Sequence, residues 1–434
     1  MKHLKIAVFT AISLFSLAFS ACLKDSCTQE QVYTQWNPVY KSDAQIRVTP
    51  RYEAVRAMKN TGKIYFYDHY VLVNERKEGI HVIDNTNPSN PVNIGFINIQ
   101  GNVDMAVKGN FLYADNYMDL ITLDIRTITN PTFVCRTENV FQSTFFKDPT
   151  LGWLVDYEPI KVNIKIDCTD PKYVDYGNGW LKSGGDIFST GGQSGGNTGV
   201  FTTSSGSTGG APASAGGSMA RFTFYTNYLY AIDRGSLITF NLAAANCPNQ
   251  VNTQQVGWNI ETVFPYKNSL FIGSTTGVAI FDLTNPALPR SIGRFNHGTS
   301  CDPVVVENDI AYSTLHSGTT CNGSLNQLDI LDVKNLSAPV LLKSYNMTSP
   351  KGLSIWDNIL YLCDDGLKIY DITNKLTMDQ NLKSHIKGFD TYDVIPYEVG
   401  NRRNLMVIGA DGLYQFDVTD AANPKQLSKI SVVK

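Results

Sequence analysis

The sequence predicts an all-β protein, a seven-bladed β-propeller with a Gly/Ser-rich loop inserted after the second blade. Three observations carry that prediction. A short apolar pattern closed by an acid or Asn recurs seven times, its copies mostly fall one blade length apart, and a proline follows at a fixed distance in six of the seven. Composition agrees, since 43% of the 434 residues are apolar and 11% aromatic, enough to build a core. Lys+Arg total 36 against Asp+Glu 39, a net charge of −3. With no basic excess to hold a polyanion, nucleic acid is not an expected partner.

The chain opens with a basic pentapeptide and an apolar run over residues 6–19. A bilayer-spanning helix needs roughly 20 apolar residues, so this run reads as the core of a secretory signal peptide, residues 1–21. It ends Phe19-Ser20-Ala21-Cys22, which resembles a bacterial lipobox with Phe where Leu is usual. The resemblance implies cleavage before Cys22 and acylation of that cysteine with palmitate-type chains. Lys24-Asp25 is similar to the export tags of Bacteroidota surface lipoproteins. The expected mature protein is an outer-membrane lipoprotein of the cell envelope, periplasmic or surface-exposed. Residues 22–62 form its lipid-anchored N-terminal segment, and the membrane is a partner through the lipid on Cys22. Cleavage removes Lys2 and Lys5 and no acid, moving the net charge from −3 to −5.

The repeat sets the rest. Its copies are Ile80-His81-Val82-Ile83-Asp84, Leu120-Ile121-Thr122-Leu123-Asp124, Leu237-Ile238-Thr239-Phe240-Asn241 and Val278-Ala279-Ile280-Phe281-Asp282. They continue with Leu328-Asp329-Ile330-Leu331-Asp332, Leu367-Lys368-Ile369-Tyr370-Asp371 and Leu413-Tyr414-Gln415-Phe416-Asp417. Successive anchors lie 40, 117, 41, 50, 39 and 46 residues apart. Apart from the 117, these are four-stranded blade lengths of about 40–50 residues. Within the second unit, alternation and β-rich composition predict strands over 103–107, 111–114, 120–125 and 132–136. Lys108-Gly109-Asn110 is the hairpin between the first two, a turn that needs positive φ. Its equivalents begin at Tyr225, Lys267, Glu307 and Trp356. Pro91, Pro131, Pro248, Pro289, Pro339 and Pro424 stand seven residues past their anchors, and Met378 takes that place in the sixth unit. The anchor acid is read as a corner former bonding its own downstream amides. It is not read as a metal ligand, because Asp84-Asn85-Thr86-Asn87 lacks the alternating acids, Gly and terminal Glu of a calcium loop.

The recurring Leu-x-Ile-Phe/Tyr-Asp unit with its Thr-Asn-Pro corner resembles the LVIVD-repeat family of bacterial lipoproteins over residues 63–432. The resemblance implies a secreted or surface propeller and supplies no catalytic residues. Residues 45–58 are a candidate extra edge strand.

The long spacing places an insertion at 141–218. Its first part, 141–182, is aromatic-rich, with the alternating strand pattern of 160–168. Residues 183–218 hold 12 Gly and 8 Ser and are expected to be a flexible loop. Among the cysteines, Cys301 and Cys321 flank a lengthened fifth unit and are expected to form a disulfide. Cys135 with Cys168 is a further candidate pair, and Cys363 reads as a small buried hydrophobe. No Cys-x-x-Cys, His-Glu-x-x-His, Gly-x-Ser-x-Gly or phosphate loop occurs, so no catalytic residue, metal or cofactor is assigned. The polar residues that open the innermost strands are Asp104, Arg221, Thr262, Asp302, Lys351 and Asp393. They are expected to converge at one mouth of the central channel and to form the candidate ligand site. The functional expectation is a non-enzymatic binding or interaction module for a protein or glycan ligand. A propeller hydrolase acting on glycan or lactone at that mouth, and an envelope scaffold, are the alternatives.

Overall fold

A computed structural model describes residues 28–167, 214–216, 218, 220–243, 247–257, 259–297, 303–317 and 325–433. The chain divides into two compact units, residues 1–39 with 156–192 and residues 40–155 with 193–434.

In the first unit, the described residues are a ribbon made by parts of two long strands, Thr28–Lys41 and Gly152–Asp167. Lys161 Nζ donates to Thr34 Oγ1 (3.2 Å) and Lys165 pairs with Glu30 (3.1 Å). Partner numbers fall as strand numbers rise, so the ribbon is antiparallel, as the alternation over 160–168 anticipated for its second strand.

The second unit holds seven successive antiparallel sheets, each of four consecutive strands (a to d). Sheet 1 runs Thr61–Tyr67, Tyr70–Glu75, Gly79–Asp84, Val92–Asn98; sheet 2 runs Met105–Lys108, Phe111–Asn116, Asp119–Asp124, Thr132–Thr137. Sheet 3 is Phe222–Tyr225, Tyr228–Asp233, Ser236–Asn241, Asn249–Gln255, and sheet 4 is Ile260–Tyr266, Ser269–Ser274, Gly277–Asp282, Arg290–Asn296. Sheet 5 is Val304–Glu307, Ile310–Leu315, Gln327–Asp332, Val340–Asn346, and sheet 6 is Leu353–Trp356, Ile359–Cys363, Leu367–Asp371, Leu382–Ile386. Sheet 7 is Thr391–Val399, Arg402–Gly409, Gly412–Asp417, Lys425–Ser431. Strands b and c are buried on both faces because each sheet is covered by its neighbours. His81 on strand c of sheet 1 is likewise fully buried, its ring edge-on to Phe96 at 4.9 Å.

All seven anchors do the same job. The amide two residues on donates to the side-chain oxygen of Asp84 (2.9 Å), Asp124 (3.0), Asn241 (2.7), Asp282 (3.0), Asp332 (2.9), Asp371 (3.0) and Asp417 (2.9). Those hydrogen bonds hold the carboxyls of Asp84, Asp282 and Asp371 below the ordinary range, Asp371 at about 2. In every sheet the c–d ladder slips by one residue just inside this corner, a bulge that bends the outer strand. In the sixth corner, a 3₁₀ turn over Lys375–Gln380 takes the place of the proline and buries Met378. The a–b hairpins carry the positive φ their sequences require, at Gly109 (58°), Lys267 (49°) and Asn308 (51°).

Adjacent sheets are latched by side chains. Tyr65 Oη donates to Val107 O (3.0 Å), Tyr230 Oη to Pro286 O (2.7 Å) and Tyr345 Oη to Lys375 O (2.7 Å). The seventh sheet returns to the first. Phe66 meets Tyr397 at 4.9 Å between ring centroids, Gln415 Nε2 donates to Asn85 Oδ1 (2.6 Å) and Ser428 Oγ to Pro88 O (2.7 Å). Among the described residues no four-stranded set mixes strands from the two chain ends; the seam there is made of side chains and of Val433 N donating to Met58 O (2.8 Å).

Two added strands extend sheet 1. Arg51–Glu53 pairs on its outer edge with Asn98 to Phe96, the edge strand anticipated within 45–58. The other addition corrects the sequence reading. Ser214–Gly216, assigned to a flexible loop, pairs with Tyr67 to Tyr65 on the inner edge of strand a. An open inner edge presents unpaired N–H and C=O groups, and Ser-Ala-Gly is small enough to approach it. The cysteines are corrected as well. Cys135 bonds Cys247, joining the outer strand of sheet 2 to the d strand entry of sheet 3, and so does not pair with Cys168. Cys363 is free and fully buried. The expected Cys301–Cys321 pair, Cys22, and most of 183–218 lie outside the described residues.

Candidate functional site

Each a strand carries, at or a few residues past its start, a fully or nearly buried apolar residue: Ile64, Met105, Phe222, Val263, Val304, Leu353 and Val394. The residues just before them stand at one level: Lys63, Asp104, Arg221, Thr262, Pro303, Gly352 and Asp393. Of the residues singled out from the sequence, Asp104, Arg221, Thr262 and Asp393 occupy this row. Lys351 sits one residue earlier than the row and Gly352 holds its place; Asp302 lies outside the described residues. Lys63 was missed. Aligning the units on the first buried apolar residue, rather than on the anchor acid, would have found it.

The structure brings the charged members together on one side. Lys63, 3% exposed at its side chain, is paired with the fully buried Asp104. Asp104 also accepts from Met105 N (2.7 Å) and from Arg221 N (2.9 Å). The Arg221 guanidinium lies 3.7 Å from Asp115 and donates to Ile232 O (3.2 Å). Asp115, at the end of strand b in sheet 2, accepts from Val103 N (2.7 Å), Asp104 N (2.9 Å) and Asn102 Nδ2 (2.9 Å). Burial pushes its carboxyl up to about 6 against the pull of Arg221, and burial likewise pulls the Lys63 ammonium down. Asn102 extends the network to Asn74 Nδ2 (2.7 Å). Asp115 and Asn74 carried no signal in the sequence because they lie at the ends of b strands, and Asn102 because it lies in the connection ahead of strand a in sheet 2.

On the other side, Asp393 is fully buried, and burial drives its carboxyl well above the usual carboxylate range. Its Oδ1 accepts from Ser218 Oγ (3.1 Å), while Ser218 Oγ itself accepts from Leu353 N (2.9 Å). A Cβ on Gly352 would come within 2.3 Å of that Oδ1, so only glycine leaves room for the Asp393 side chain. Thr262 is buried beside Val263, whose N–H donates to Ala220 O (2.7 Å). Lys351 stands apart from the cluster, donating to Asp390 Oδ1 (2.5 Å) over the Tyr392 ring at 4.7 Å.

The same short stretch, 214–221, therefore touches sheet 1 by backbone pairing, sheets 6 and 7 through Ser218, sheet 4 through Ala220 and sheet 2 through the Arg221 amide. The chain's own inserted segment occupies the place where the a strands face one another. Among the described residues no group of three or more His, Cys, Asp or Glu is arranged to hold a metal ion, and no helix is long and apolar enough to cross a membrane.

Comparison with known proteins bears on the fold. The LVIVD repeat matches residues 101–138 and 323–347. No curated protein is similar to the chain in sequence. Among solved structures, a Lactobacillus plantarum protein is similar at a TM-score of 0.54, with 11% identity over 86% of this chain and 97% of that one. BamB from Moraxella catarrhalis is similar at 0.43, with 12% identity over 80% and 81% of the two chains. Kluyveromyces lactis Hsv2 is similar at 0.46, with 8% identity over 85% and 98%. At such identities the likeness concerns fold alone: the chain is a β-propeller-like repeat protein.

Proposed function

We propose that the protein is a seven-bladed β-propeller, tethered to the cell envelope by a lipid on Cys22, that acts as a non-enzymatic binding module. The observation that carries this reading is the state of the inner polar row. Asp104 and Asp115 spend their oxygens on backbone amides, Lys63 and Arg221, and Asp393 is covered by Ser218. A hydrolase needs a carboxylate free to give or take a proton at substrate; Asp104 and Asp115 are committed to holding sheets together, and Asp393, whose Oδ2 has no hydrogen-bond partner, is fully buried. What remains to meet a partner, protein or glycan, is the rim of the sheets and the ribbon.

The reading has two tests. Expressed in a bacterial host with a lipoprotein pathway, the wild-type chain should fractionate with membranes and carry acyl mass on Cys22, whereas Cys22→Ser should be released in soluble form; equal fractionation would remove the tether. Assayed against a panel of glycans and lactones, the protein should give no turnover above buffer. Turnover above buffer that is lost in a variant still folded by circular dichroism would instead establish the hydrolase.

A further inference from the structure

Arg76 follows strand b of sheet 1, with its amide donating to Asn60 O (3.0 Å). Its side chain is half-buried and lies along Gly62 at the start of strand a. A Cβ on Gly62 would sit 3.2 Å from Arg76 Cγ and 3.5 Å from Nε. Burial pulls the guanidinium below its ordinary value, against a smaller opposing effect of the Tyr392 phenol of sheet 7. Lys351 covers the same tyrosine ring at 4.7 Å.

No carboxylate partner of Arg76 exists among the described residues; the acids whose charge acts on Tyr392, and Glu78 two residues along the chain, each hold a cation. Asp390 binds Lys351 (2.5 Å), Asp411 binds Lys429 (2.6 Å) and Tyr414 Oη (2.7 Å), and Glu78 binds Arg56 (3.3 Å). Beside it, the buried Oδ1 of Asn74 also lacks a hydrogen-bond partner. A guanidinium that has given up part of its hydration and gained no counterion is costly. Its planar fork is suited to an oxyanion.

We propose that Arg76, flanked by Tyr392 and Lys351 at the junction of sheets 1, 6 and 7, is the binding site for an anionic oxygen group of the ligand: a carboxylate, sulfate or phosphate. The inference rests on the binding-module reading and names the ligand's chemistry, but it does not depend on the lipid tether. Arg76 supplies two parallel N–H donors, the Tyr392 hydroxyl a third, and Lys351 adds positive charge without leaving Asp390.

Thermal unfolding of the full mature chain at fixed ionic strength tests it, comparing chloride with 10 mM sulfate, phosphate or glucuronate. For wild type, at least one of the three should raise the Tm by about 2 °C or more over chloride. Which of them does so separates a sulfated or phosphorylated ligand from a sugar acid. Arg76→Gln should lose that increment, and in chloride it should melt no lower than wild type, because an uncompensated cation has been removed. Equal increments in wild type and Arg76→Gln, or none in wild type, would overturn the site. Tyr392→Phe gives the same reading if the Arg76 variant does not fold: a reduced increment supports the site and an unchanged one overturns it. A protein that binds the anion yet is never acylated would refute the tether and leave this site standing.

Discussion

Lys63→Met cuts the buried ion pair that joins sheets 1 and 2. Lys63 and Asp104 are 3% and 0% exposed at their side chains, so solvent screens them little. Removing the ammonium leaves Asp104 buried with only two amide donors, from Met105 and Arg221. Breaking such a pair costs about 3–5 kcal/mol. Asp104→Asn alone takes the carboxylate from Lys63 and strands one of those two amides, for a similar loss. The double variant should cost less than the sum of the singles by about 1.5–3 kcal/mol, because neither charge is then orphaned. Urea unfolding followed by fluorescence, with the slope checked for constancy across variants, gives all four corners of the cycle. Additivity within about 0.5 kcal/mol, or a Lys63→Met cost below about 1 kcal/mol, would refute a desolvated, mutually dependent pair.

Other consequences are simpler to measure. Asp282→Ala removes an acceptor for both Thr284 N (3.0 Å) and Thr284 Oγ1 (2.7 Å) and should lower stability by about 1 kcal/mol; Asp282→Asn should be nearly neutral, since Asn241 fills the same corner in sheet 3. The Asp115 carboxyl stands at about 6 when folded against an ordinary 3.8, so between those values the folded state holds more protons than the unfolded. Stability should therefore fall as pH rises from about 4 to about 6, by an amount of the order of 3 kcal/mol, and Asp115→Asn should flatten that segment of the stability–pH curve. Reduction of Cys135–Cys247, which closes a separation of 112 residues, should cost about 3–5 kcal/mol. A non-reducing peptide map should show the two cysteines linked; recovery of both as alkylated thiols without reductant would contradict the pairing.

The sheets were legible because their signals are local and repeated. Every anchor acid, a–b turn and corner proline is a short-range backbone device, and seven copies in register override ambiguity at any one. The site was legible only in part. Asp104, Arg221, Thr262 and Asp393 follow from their place before strand a, whereas Lys63 was hidden by the choice of alignment and Asp115 by reading as a core strand end. Ser214–Gly216 defeated sequence reading for a physical reason. Gly and Ala are depleted in strands, so Ser-Ala-Gly in a Gly/Ser-rich stretch carries no strand signal even though its backbone pairs with strand a. The Cys135–Cys247 bond links two outer strands across a sheet boundary, a relation that residue spacing does not encode.

The central claim is that seven like sheets close on one another and that residues 214–216 and 218, from the end of the inserted segment, lie against their inner strands. A crystal structure of the mature protein tests this most directly. The account predicts Phe66 against Tyr397 at the seam of the first and last sheets, with Ser214–Gly216 paired to strand a and Ser218 on Asp393. Density showing the last sheet apart from the first, or an open passage where that segment is placed, would contradict it.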